Sequence, residues 1–145
     1  MAEKEVVECE DLMKLMNEVI KEEKLDWLAG IDIMSVKVYP EISPTIAGKC
    51  SRINFKMEHF VKFQYLLEFS GELWDTLKIE TKKILMLHEL SHISITHDKK
   101  GNTKYKIQKH DLEDFTAIIS KYGTDWLGEI KVLNESIQAN KKSEE

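Results

Sequence analysis

The most constraining stretch of the sequence is the apolar run Ile84 to Ile95, which contains the pattern H-E-x-x-H at residues 88–92. In a helix, residues four apart lie on the same face, one turn from each other. The imidazoles of His88 and His92 can therefore reach one metal ion. Glu89 lies about 100 degrees further round the helix axis, where a general base can take a proton from a metal-activated water.

A pair of metal-free core histidines is the alternative interpretation of this pattern. The chain contains 18 Glu and five His, so H-E-x-x-H can also arise by chance. However, the surrounding Ile, Leu and Met residues predict a helix that is apolar on nearly every side and is therefore buried. Two His and a Glu in such a helix carry a desolvation penalty unless something pairs with them. A bound divalent cation would do so, and we favour the metal site.

Length and composition predict one small globular domain. The 145 residues are 42% hydrophobic and 32% charged, which is enough for a single core in a globular protein. We expect this domain to span residues 1–145. It would have an N-terminal helix at about 6–24, a core at about 30–138 and a frayed polar tail at 139–145.

Hydropathy, cysteine usage and charge indicate the cell compartment of the protein and the kinds of partner it can bind. No apolar run approaches the roughly 20 residues of a membrane helix, and the acidic start lacks the apolar segment of a signal peptide. Cys9 and Cys50 are far apart and form no C-x-x-C arrangement, so we expect reduced thiols in a cytoplasmic protein. The net charge of −5 disfavours nucleic acid as the partner of the whole domain.

Hydrophobic periodicity predicts an α+β fold around the motif. Alternating residues predict strands at 32–39, 45–55 and 62–69, and three- or four-residue spacing predicts a helix at 111–122. A last helix is expected after Gly123, and its inward residues are Leu127, Ile130, Leu133 and Ile137. These elements would form a short mixed or antiparallel sheet packed on the H-E-x-x-H helix and on flanking helices.

The connection before the motif helix suggests a cap and a peptide-binding edge. Residues 70–72 are expected to break the preceding strand, and Asp75 or Thr76 is expected to cap the helix through its free backbone N–H groups. An extended peptide could pair with the edge of strand 62–69 and lie across the metal. If that strand is paired on both sides, it is plain structure instead.

Three types of residue compete for a third ligand position, because a catalytic zinc usually takes three protein ligands and a water. His97 is one residue short of the metzincin spacing, and Ile95 stands where that pattern has Gly. His110 enters from the next element and ranks first. Glu113 ranks second and Asp114 third, since both share a helix face with His110. The alternative role of both acids is to stabilise the start of that helix electrostatically.

A basic stretch follows the motif helix. It begins at a turn over residues 99–102, and its cationic residues are Lys99, Lys100, Lys104, Lys106 and Lys109. In an acidic chain, a solvated loop is the favoured interpretation of such a run. The alternative is that it steers an acidic segment or a nucleic-acid backbone toward the site.

Three segments together resemble a known family. FQYLLEFSGELWDTL, LMLHELSHI and KHDLEDFTAIISKYGTDWL are similar in content and order to the metallopeptidase family of phages and prophages, which is akin to the SprT-like and other small zincins. The resemblance covers roughly residues 30–128. It implies a small zincin-like metallopeptidase fold of the gluzincin or SprT-like type, with a bound zinc ion.

The resemblance also implies site residues and an activity. It assigns His88, His92 and His110 as metal ligands and Glu89 as the catalytic base of a zinc-dependent peptidase that acts on a peptide or protein. The setting would be the cytoplasm of a bacterial or phage-infected host cell. The competing hypothesis is a metal-stabilised module that binds or regulates a protein without turnover.

Overall fold

A computed structural model of the protein describes residues 3–108, 130 and 132–139, and shows an α+β fold as predicted. The strands are β1 (Glu5–Glu8), β2 (Ile33–Tyr39), β3 (Gly48–Arg52), β4 (Tyr65–Ser70), β5 (Ile93–His97) and β6 (Thr103–Ile107). The helices are α1 (Glu10–Glu22), α2 (Phe55–Val61), α3 (Gly71–Thr76), α4 (Ile79–Leu90) and α5 (132–139), with a 3-10 turn at Asp26–Leu28.

The main sheet is mixed and has the order β1-β2-β4-β3. The central pair β2 and β4 is parallel, and the two outer pairings are antiparallel. Alternation along β4 sends Tyr65, Leu67 and Phe69 to one face, where all three are fully buried. Because β4 is paired on both sides, strand 62–69 has no free edge, and of the two alternatives the structure shows plain structure. The outer strand on that side is β3.

The core lies between one face of this sheet and the helices α1 and α4. The buried stripe of α1 packs on β2, where the Ser35 hydroxyl lies 3.2 Å from the Met16 sulfur. Met86 and Leu90 of α4 are fully buried in the same cluster as the β4 side chains. This packing holds the predicted motif helix against the sheet.

The N-terminal segment differs from the expected helix at 6–24. Residues 5–8 form β1, which pairs antiparallel with β2, and the helix itself runs only from Glu10 to Glu22. Val6 in this strand is 64% exposed, so the segment offers no buried apolar pattern of its own. Pairing with a distant strand therefore decides its structure.

The segment between β3 and β4 also differs from the prediction. The expected strand at 45–55 is shortened to Gly48–Arg52, and α2 follows it. Asn54 caps α2, because its side-chain oxygen accepts a hydrogen bond of 2.9 Å from the Met57 N–H. His59 lies on this helix and is exposed.

The predicted break of the strand at 70–72 is confirmed, because β4 ends at Ser70. The connection to the motif helix is itself helical, however, and the predicted cap is wrong. Residues 71–76 form α3, and Lys78 occupies the N-cap position of α4 without a side-chain hydrogen bond. The Asp75 carboxylate instead accepts a hydrogen bond of 2.6 Å from the Tyr39 hydroxyl. The Thr76 hydroxyl donates to a carbonyl within its own helix, at 2.7 Å.

The last helix packs as the sequence predicts where it is described. Ile130 is buried, and Leu133 and Ile137 pack against the core. The Asn134 side-chain amide donates a 2.7 Å hydrogen bond to the Pro44 carbonyl, which joins α5 to the loop before β3. The predicted helix at 111–122 and Leu127 lie outside the described residues. Over the described part of the chain, every helix is too short or too polar to traverse a lipid bilayer.

Candidate metal centre

The motif helix ends inside the motif, yet the two histidines keep their one-turn relation. α4 ends at Leu90, and Ser91 retains helical backbone angles (φ −70°, ψ −14°). The His92 N–H then donates to the Glu89 carbonyl at 3.1 Å, which continues the turn. Ile93 and Ile95 belong to β5, so the prediction that the helix reaches residue 95 is wrong.

The structure brings His88, Glu89 and His92 together in one group that could hold a metal ion. One ligand atom from each residue lies within 4.8 Å of the others. The imidazole rings are 5.2 Å apart between centroids, and the Glu89 Oε1 lies 3.9 Å from the His88 Nε2. Glu89 is only 4% exposed and His92 8%. Two nitrogen donors and one carboxylate, sheltered from water, match the ligand chemistry of a divalent metal.

A backbone contact fixes the orientation of His92. Its Nδ1 lies 2.7 Å from the Gln108 carbonyl oxygen, which can only accept, so Nδ1 carries the proton. The Nε2 atom of the neutral ring is then left with its lone pair, as a metal ligand requires. The Gln108 N–H also donates to the His92 carbonyl at 2.6 Å. The chain after β6 therefore holds both the backbone and the ring of His92.

Burial dominates the electrostatics of Glu89. Removal from water raises the pKa of this carboxyl to about 8, because the charged form loses its hydration. A cation within a few ångströms acts in the opposite direction and favours the carboxylate. The residues present therefore fit a bound divalent ion, which would offset the cost of burying this acid.

Strand β3 forms the wall next to Glu89. A Cβ atom added at Gly48 would lie 3.1 Å from the Glu89 Cγ and 3.2 Å from its Oε1, so only glycine fits without a shift. Burial, and then the charge of Glu89, raise the pKa of the Cys50 thiol to about 12. Cys9 and Cys50 are both free thiols, as predicted.

The sequence did not predict the role of Gly48. The available signal was a glycine within a predicted strand, which often marks a close approach of another group. The sequence alone did not indicate that this group would be the carboxylate of Glu89, because the contact joins two distant parts of the chain.

Of the candidate third ligands, the structure describes His97. His97 lies near the end of β5, is exposed, and has its Nδ1 3.4 Å from the Thr103 hydroxyl. It does not belong to the group of potential ligands found among residues 3–108, 130 and 132–139. His110, Glu113 and Asp114 lie outside these residues.

The fold and the site together define a small α+β protein with an H-E-x-x-H group suited to metal binding. A family model described as "Putative phage metallopeptidase" matches residues 4–138, and the chain belongs to this family. The predicted resemblance is thereby confirmed. Comparison with curated proteins and with solved structures gave no significant match.

Proposed function

We propose that the protein is a zinc-dependent peptidase in which His88, His92 and His110 hold the ion and Glu89 is the general base. One observation carries the proposal: two imidazoles and a buried carboxylate converge within 4.8 Å. Zinc suits this donor set because it favours nitrogen and carboxylate ligands and leaves one position open in catalytic sites. Membership of a metallopeptidase family supports the same chemistry.

Glu89 has the position and the environment of a proton carrier. When bound, the metal supplies Lewis-acid chemistry, polarising the scissile carbonyl and lowering the pKa of a water to about 7. Glu89 accepts a proton from the attacking water and returns it to the leaving amine. Its buried position keeps competing solvent away from the carboxylate, and its contact with Gly48 limits the directions in which it can move.

The contact at Gln108 supports His110 as the third ligand. Gln108 holds His92 through two backbone contacts, and His110 follows it by two residues in the sequence. Two residues span at most about 7 Å, so this sequence distance is compatible with a third imidazole at the same ion. Glu113 and Asp114 are the alternative ligands, and either would give a site with two His and one carboxylate.

The sheet edge beside Glu89 supports a peptide as the substrate. At one end of β3, the Ser70 N–H donates to the Ala47 carbonyl, and at the other end the Ile53 N–H donates to the Gln64 carbonyl, each at 2.9 Å. Because antiparallel pairs alternate, the backbone groups of Gly48 and Cys50 point away from β4. An extended chain could bind these groups by strand addition, and this would bring its peptide bonds alongside Glu89.

The test compares Glu89→Gln with His88→Ala. We expect Glu89→Gln to retain one zinc per chain and to lose most hydrolysis of fluorescently labelled casein, since removing a general base costs about 10²–10⁴-fold. His88→Ala should lose both metal and activity. Metal content is measured by elemental analysis. Cleavage by Glu89→Gln at the wild-type rate would contradict the assignment.

A metal-stabilised binding module without turnover is the second candidate function. The observation in its favour is that Glu89 lies close enough to both histidines to act as a ligand itself. A fourth ligand would close the site, as in structural zinc centres. Under this alternative, Glu89→Gln weakens zinc binding, whereas under the peptidase proposal it leaves zinc binding nearly unchanged.

A further inference from the structure

Positive charge is concentrated at one part of the molecule, although the whole chain is acidic. We define the basic lobe as the segments 52–62 and 93–108. They carry seven Lys or Arg side chains against two carboxylates, a net charge of +5. Since the whole chain has a net charge of −5, the remaining residues carry −10. An acidic total therefore does not argue against an anionic partner at this lobe.

Arg52 joins the two segments of the basic lobe in space. Its guanidinium lies 3.3 Å from the Glu58 carboxylate of α2 and 5.1 Å from the centre of the Tyr105 ring in β6. Strands β3 and β6 are also in contact. Arg52 therefore lies between the helix α2 and the β5–β6 hairpin and contacts both.

The two carboxylates of the lobe are already engaged within it. Glu58 is paired with Arg52. Asp98 accepts hydrogen bonds from the backbone N–H groups of Lys100 and Asn102, at 2.9 and 2.8 Å, and those bonds lower its pKa. The six lysines of the lobe are exposed, and none forms an ion pair within the described part of the chain. They are Lys56, Lys62, Lys99, Lys100, Lys104 and Lys106.

The alternation of the hairpin directs two of these lysines to solvent. Ile95 and Tyr105 are cross-strand partners and pack against the core. Because successive side chains of a strand point to opposite faces, Lys104 and Lys106 lie on the other face. Lys99 and Lys100 follow at the turn that joins the two strands. The cationic groups are thus spread along the outer side of a two-stranded ribbon.

Exposed aromatic rings adjoin this cationic surface. Phe55 and Phe60 of α2 are each 74% exposed, and the helix has no buried residue. These two rings are apolar surface that a partner could cover. Nucleic-acid bases stack on such rings, and the stacking tolerates any base sequence.

We propose that the basic lobe binds single-stranded nucleic acid, with the lysines contacting phosphates and Phe55 and Phe60 stacking with bases. The lobe combines cations that can bind the phosphate backbone with aromatic rings on which bases can stack. This combination is typical of proteins that bind single strands without sequence preference. The surface adjoins the candidate metal centre, because β5 begins directly after His92. The inference does not depend on peptidase activity.

The test measures binding of a fluorescently labelled oligothymidylate of roughly 20 nucleotides, longer than the site of a single small domain. Fluorescence anisotropy is recorded for the full chain at several salt concentrations. We expect binding at low salt that weakens as salt rises. The double variant Lys104→Glu, Lys106→Glu should reduce the slope of log K against log salt by about 1.4, which is about 0.7 for each contact.

Two further sets of variants test whether binding depends on the basic lobe itself or on the charge of the whole protein. The double variant Lys14→Glu, Lys21→Glu reverses two exposed lysines of α1 and should leave the slope unchanged. Phe55→Ala and Phe60→Ala should each weaken binding about tenfold without changing the slope. Equal effects of the two lysine pairs would overturn the proposal. So would an absence of oligonucleotide binding by the wild type, including the case in which vesicles of anionic phospholipid bind instead.

Discussion

Gly48 determines how closely β3 approaches the carboxylate of Glu89. The ideal Cβ position at residue 48 lies 3.1–3.2 Å from three atoms of that side chain, which is closer than ordinary van der Waals contact. A methyl group there would displace the carboxylate by a few tenths of an ångström. Catalytic groups are sensitive to such shifts, since a misplacement of 1 Å can cost about 10²-fold in rate.

We therefore expect Gly48→Ala to lower kcat/KM by about tenfold while changing thermal stability little. The measurements are labelled-casein hydrolysis and the melting temperature. Ser51→Ala is the matched control, because residue 51 lies on the same strand with its side chain on the opposite face. Wild-type activity in Gly48→Ala would show that this contact does not position the base.

At this scale, the sequence predicted that His88, Glu89 and His92 come together, but not which residues surround them. The four-residue spacing of His88 and His92 predicted their proximity, because one backbone turn determines it. The wall at Gly48 and the carbonyl at Gln108 could not be predicted. Both contacts depend on how distant segments fold against the motif, and no local pattern encodes that.

Among the elements, the β5–β6 hairpin is the one on which His92 depends most directly. The fully buried Tyr65 hydroxyl of β4 lies 2.8 Å from the Lys106 carbonyl and 3.3 Å from the Ser94 carbonyl. It therefore donates to one strand of the hairpin while lying next to the other. This anchor holds the hairpin to the sheet, and the hairpin in turn holds His92 through Gln108.

We expect Tyr65→Phe to destabilise the protein by about 1 kcal/mol and to weaken zinc binding, because the Lys106 carbonyl loses the donor that anchors the hairpin. Thermal unfolding and zinc titration are the measurements. Tyr39→Phe is the control, since it removes a hydrogen bond to Asp75 that joins β2 to α3. If Tyr65→Phe lowered stability without affecting zinc binding, the hairpin would not be required to position His92.

The elements that the sequence predicted are those with a clear local pattern. β2 and β4 follow from period-two alternation, and α1 follows from its buried stripe. The hairpin strand β5 was hidden because Ile93 continues the three-residue spacing of the helix before it. α2 buries no residue and therefore has no stripe to recognise. These elements are defined by caps and by non-local pairing.

The whole molecule should be more stable with its metal than without it. The site buries an acid whose pKa burial raises to about 8, and a bound cation offsets that cost. Zinc at 100 times its Kd stabilises the folded state by about 2.7 kcal/mol. For a chain of this length, this corresponds to a rise in Tm of about 5–10 °C.

The measurement is thermal unfolding of metal-free and zinc-loaded protein, with and without a chelator. His88→Ala is the control and should show little of this shift, whereas Glu89→Gln should show most of it if Glu89 is a base rather than a ligand. An equal Tm with and without zinc in the wild type would argue against a metal in this group.

The contact between Asn134 and the Pro44 carbonyl bridges 90 residues of chain. During synthesis at about 5–20 residues per second, the loop before β3 waits roughly 5–18 s for its partner to be made. Throughout that interval the apolar surface that later covers Ile130 faces water on a nascent chain. Ribosome-bound intermediates of this protein should therefore recruit chaperones until the C-terminal helix emerges.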